Sequence, residues 1–146
     1  MAKGYPDFYG FSIFPRYGAI MVDQQIALVV PNLATTTIHE LTGKGRIAGG
    51  VFRIRWCADW NFVWPIVTID GNILTHAAGI WAMLNTFGSD CSGFPVALKH
   101  YSGPGATTSF DYVEDYVFNN SYKVELYNFS GIAGQVHSYL NYTLMQ

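Results

Sequence analysis

The stretch from Leu41 to Leu74 (LTGKGRIAGGVFRIRWCADWNFVWPIVTIDGNIL) limits what this chain can become. From Arg46 it alternates, with Ile47, Gly49, Val51 and the later odd positions set against Ala48, Gly50, Phe52, Ile54 and Trp56. A strict period of two belongs to a strand with two distinguishable faces. The second arm, Val63 to Ile69, is rich in β-branched residues and runs into Asp70-Gly71, a hairpin-type turn leading to Asn72-Ile73-Leu74. Nothing in it supplies a nucleophile, a phosphate cradle or a metal cage.

The flanking sequence carries the same signature. Tyr17 to Val22 and Gln25 to Val30 read as a hairpin around Asp23-Gln24, ended by Pro31-Asn32. Ala34 to Leu41, Phe94 to Tyr101, Ser121 to Phe129 and Gln135 to Met145 read as further strands. In the fourth of these, Val136, Ser138, Leu140, Tyr142 and Leu144 fall on one face. Thr75 to Asn85 fits a short helix or a strand equally. Roughly eight to ten strands with Gly or Pro turns and at most one short helix, near 75–85, predict an all-β antiparallel sandwich, jelly-roll-like. Residues 1–16, broken by Tyr5-Pro6, Gly10 and Phe14-Pro15, read as an arm ahead of a single domain over 17–146. Phe8, Tyr9, Phe11 and Phe14 make that arm too apolar to stand in water, so it should lie on its own core or on a neighbouring subunit.

Composition narrows the functions. The chain is 50% hydrophobic, 16% aromatic and 12% charged, about half the usual charged share of a soluble domain. Such a deficit fits surfaces that meet other protein, because homo-oligomer interfaces are apolar and poor in charge. A net charge of −2 argues against nucleic acid, even with Arg53 and Arg55 on one strand face. No apolar run reaches the roughly 18 residues of a spanning helix, and MAKGYPDFYG lacks a signal-peptide core. Cys57 and Cys91 read better as free buried thiols than as a disulfide.

Candidate chemistry is sparse. His39, His76, His100 and His137 lack the spacing that presents paired imidazoles to a metal. Asp111, Glu114 and Asp115 are the densest carboxylates, yet close sequence neighbours seldom span a glycosidase cleft. Ser130 has no nucleophile elbow. No catalytic residue, metal or cofactor is therefore assigned. The triplets at Asn119, Asn128 and Asn141 match the glycosylation pattern by chance. Trp56, Trp60 and Trp64 remain as interface aromatics or as a stacking platform for sugars.

Thr42-Gly43-Lys44-Gly45, then Thr68-Ile69-Asp70-Gly71, then Tyr122-Lys123-Val124-Glu125 with Tyr127-Asn128 resembles, in order and spacing, small tailed-phage virion proteins. The likeness runs from residue 36 to the end, and the segment Thr75–Gly93 is not part of that pattern. It implies a non-enzymatic capsid decoration, head-fibre or tail-adaptor protein, made in the host cytoplasm and built into the virion as a homo-oligomer. A trimer is favoured, with the arm hooking the major capsid protein or another virion protein. A carbohydrate-binding module that meets host-surface sugars is the alternative.

Overall fold

The computed structural model describes residues 18–55, 63–74, 96–101 and 108–145, with backbone alone for 97–101 and Thr108. These residues form ten strands and no helix. They are β1 (Met21–Val30), β2 (Ala34–Thr42), β3 (Gly45–Arg55), β4 (Val63–Ile69), β5 (Asn72–Ile73), β6 (Val96–Tyr101), β7 (Thr108–Tyr112), β8 (Val117–Phe118), β9 (Ser121–Asn128) and β10 (Gly134–Leu144). One antiparallel sheet runs β1-β10-β3-β7-β6, with β8 also on β3, and the other runs β2-β9-β4-β5. The first strand thus lies against the last and the second against the next to last. Successive strands from β1 to β4 alternate between sheets, which is the winding of a jelly roll. The expected all-β sandwich is the fold.

Strand faces explain the layers. In β9, Tyr122, Val124, Leu126 and Asn128 are buried while Lys123, Glu125 and Tyr127 face outward. β4 alternates likewise, with Val63, Pro65, Val67 and Ile69 turned inward. Phe52 stacks on Phe110 at 4.7 Å between ring centroids, and Val30, Ile47, Val136 and Leu140 complete the wall of the first sheet. Asp70-Gly71 makes the two-residue hairpin loop between β4 and β5, with both residues at positive φ (50° and 83°).

Three expectations need correction or fall elsewhere. The hairpin around Asp23-Gln24 does not form, because both residues pair with β10, opposite Leu140 and Tyr139. One continuous strand results, and its irregularity is a bulge between Gln25 and Leu28 with Ala27 at φ 54°. The alternation of β3 is also not strict. Gly49 and Ile47 face neighbouring β10 residues, Asn141 and Tyr142, so Ala48 is extra and the strand changes phase there. The extra residue belongs to β3, so β10 keeps its expected face: Tyr142 and Leu144, opposite Ile47 and Gly45, pack on the same core as Val136 and Leu140. Thr75–Asn85, Cys57, Cys91 and the arm residues Phe8, Tyr9, Phe11 and Phe14 lie outside the described residues.

Candidate functional site

Turns at the two ends of the sandwich differ in chemistry. At one end the turns before β3, β5 and β9 meet. The Asp70 carboxylate accepts the backbone N–H groups of Asn119 (2.8 Å), Asn120 (2.6 Å) and Ser121 (3.0 Å). Those hydrogen bonds hold its carboxyl below the usual carboxylate range. Gly43 N–H donates to Asn120 O at 2.8 Å, so the TGKG turn, the IDG turn and the start of β9 form one pinned cap.

The opposite end is apolar. Here β1 hands over to β2 through Pro31-Asn32-Leu33, and β9 to β10 through residues 129–133. Asn128, fully buried, ties the two turns: its Nδ2 donates to Val30 O (3.0 Å) and Ile132 O (2.8 Å), and its Oδ1 accepts Ser130 N–H (2.9 Å). Gly131 N–H reaches Asn32 Oδ1 at 2.9 Å and Leu33 N–H reaches Asn128 O at 2.7 Å. On this frame stand Leu33 (62% exposed), Phe129 (49%) and Ile132 (49%). Leu33 does so at φ 58°, a left-handed conformation that costs a branched side chain about 1–2 kcal/mol. A strained leucine aimed at solvent is an unusual use of both strain and surface.

Trp64 begins the outer face of the second sheet at the same end. It tilts against Tyr127 (5.6 Å), which stacks with Phe129 (6.4 Å, 12° between planes). Of the aromatics singled out in sequence, Trp64 joins this ladder, while Trp56 and Trp60 lie outside the described residues. The sequence did not single out Leu33, Phe129 or Ile132, and Tyr127 stood out only within the Tyr127-Asn128 motif. The break at Pro31-Asn32 was a signal for a turn, but not for which residue it would present.

A second arrangement lies inside the sandwich. His39 Nδ1 is 2.7 Å from Asp23 Oδ2, His39 Nε2 is 2.7 Å from Ser138 Oγ, and Ser138 Oγ is 2.7 Å from Tyr112 Oη. The Asp–His–Ser connectivity is that of a hydrolytic triad. Ser138 is fully buried, however, and its oxygen is already shared with Tyr112, so a substrate carbonyl has no approach to it. His39 reaches this position because Ile38 is an extra residue opposite β9: Thr37 pairs with Glu125 and His39 with Val124, an inward position.

The remaining candidates stay apart. Glu114 and Asp115 are exposed in the turn after β7, and Asp115 pairs with Arg46 at 3.3 Å, while Asp111 lies on β7 opposite Val51. Among the described residues no three His, Cys, Asp or Glu side chains cluster to hold a metal ion. No described helix is long and apolar enough to cross a membrane. The buried, doubly donating Asn128 amide is closed to glycosylation, whereas Asn119 is exposed. No protein-family model matches this chain, and no curated protein matches it significantly.

Proposed function

We propose that this chain is a non-enzymatic virion structural protein, a capsid decoration protein of the cement or head-fibre kind, that assembles through subunit contacts. The observation that carries the reading is Leu33, held in a left-handed conformation yet exposed beside Phe129 and Ile132. Strain kept at a surface residue points to a use outside the monomer. An apolar cluster on a frame rigid enough to need a buried asparagine is what a docking surface requires. The ordered TGKG, IDG and KVE motifs, the jelly-roll winding and the low charge support the same reading. By this account copies associate, as a trimer for preference, and residues 1–16 engage the major capsid protein or another virion protein.

Leu33→Asn tests it. Asparagine tolerates a left-handed φ, so the isolated domain should be as stable as the parent or gain up to about 1 kcal/mol. Light scattering at tens of micromolar should show a defined trimer or larger ring for the parent and dissociation for the variant. A parent that stays monomeric alone, and that fails to join particles, ends the assembly reading.

The Trp64–Tyr127–Phe129 ladder favours a second reading, a platform on which sugar rings stack. Titrating purified protein with oligosaccharides while following tryptophan emission distinguishes the two. Saturable quenching by one sugar class, abolished in Tyr127→Ala, would move the role to receptor binding; a flat titration leaves assembly.

A further inference from the structure

We infer that the Asp23–His39–Ser138–Tyr112 chain is an acid-sensitive latch between the two sheets, in which a proton on His39 strands a buried hydroxyl and frees β1 from β2. The latch joins one strand of the second sheet, β2, to three of the first, β1, β10 and β7.

Its direction follows from the groups present. A carboxylate only accepts, so Nδ1 of a neutral His39 donates to Asp23 and Nε2 accepts the Ser138 hydroxyl. Ser138 Oγ then accepts from Tyr112, and every link has one donor and one acceptor. Protonation turns Nε2 into a donor. Ser138 must then accept from His39, and of the two hydroxyl hydrogens on Ser138 and Tyr112 only one has an acceptor left. The other is buried without one, the costly state for a polar group.

Among the described residues no further side chain hydrogen-bonds to a member of this chain. Facing His39 are Asp23 from β1, Ser138 from β10 and Tyr112 from β7, whose ring meets the imidazole edge-on at 5.7 Å. Inward positions on β3 and β4 are apolar apart from glycine, β1 adds Gln25 opposite Ser138, and Glu40 on β2 itself is exposed. β9 adds the buried phenol of Tyr122 and the Asn128 amide, which is engaged with Val30, Ile132 and Ser130. Asp23 is the member open to water, its side chain 33% exposed, and it offers the route for the proton. Burial drives His39 below its ordinary value of 6.5, outweighing the opposing pull of Asp23. The sign is therefore fixed: stabilisation is complete above 6.5 and is lost as pH falls from there through the depressed folded value.

Denaturant unfolding between about pH 7.5 and about pH 5, at fixed protein concentration, should show the folding constant of the parent falling by up to about tenfold per pH unit below 6.5. His39→Gln, which keeps an amide donor and acceptor without a titrating group, should flatten that slope. Equal slopes in parent and variant overturn the latch. Should the variant not fold, histidine-labelled NMR of the parent decides. The expected result is an Nδ1–H tautomer at neutral pH, with hydrogen-exchange protection of β1 amides lost as His39 titrates below 6.5. Titration at or above that value, or titration with β1 protection unchanged, refutes it.

Discussion

Gly50→Ala should destabilise the protein by about 3–5 kcal/mol, a large fraction of what a domain of this size has to lose. Gly50 sits at φ 134°, a conformation that L side chains rarely adopt. A Cβ there would also be driven into the backbone carbonyl oxygen of Tyr139 and within 3.1 Å of the Tyr112 ring. Neither neighbour has room to retreat: β10 is paired on both edges, with β1 and β3, and Tyr112 is fixed by Ser138. Gly43→Ala separates the two contributions. Gly43 has a comparable φ of 115° but open space around the missing Cβ, so its loss should be confined to the conformational part, about 1–2 kcal/mol. Urea unfolding of both variants checks the pair, and equal losses would mean that the close approach to Tyr139 contributes nothing.

Phe52→Ala has an expected cost of about 3–5 kcal/mol, the range for emptying a fully buried aromatic site. Phe52 is completely enclosed, stacked on Phe110 and tilted against Tyr112 at 5.3 Å. Its central strand, β3, is paired with β10 on one side and β7 on the other, so the backbone cannot collapse into the space. Thermal unfolding should shift down by roughly 10 °C or more. The cavity would open beside the phenol that ends the His39 chain. Phe52→Ala should therefore also weaken protection of the Tyr112 and Ser138 amides beyond the global loss, while Phe52→Leu, which retains most of the bulk, should cost less than half as much. A variant as stable as the parent would show that the β3–β7 contact is not the centre of this core.

Gly50 and Phe52 lie on one strand, β3, yet only part of its arrangement could be read in the chain. Phe52 and Ile54 announced themselves by alternation, whereas Ile47 stands on the opposite phase and still faces the core. The difference is Ala48, extra only because β10 pairs Asn141 with Gly49 and Tyr142 with Ile47. A bulge is a property of two strands. No periodicity within one of them encodes it.

Local chemistry was decisive wherever neighbours in sequence are also partners in space. The alternation of β9, the β-branched run of β4 and the Asp70-Gly71 loop follow from side-chain pattern and turn propensity, because a pleated strand must separate its faces. Those features, with the shortage of charge, determined an antiparallel sandwich. Tertiary structure alone decided what lies between the sheets and at their ends. Asp23, His39, Tyr112 and Ser138 belong to four strands, and they meet because the first strand pairs with the last and Ile38 turns its neighbour inward. Leu33 and Ile132 share an end because Asn128 holds both turns. Contacts of that kind depend on which strands pair and in what register, and only burial of the whole core selects one register over the rest.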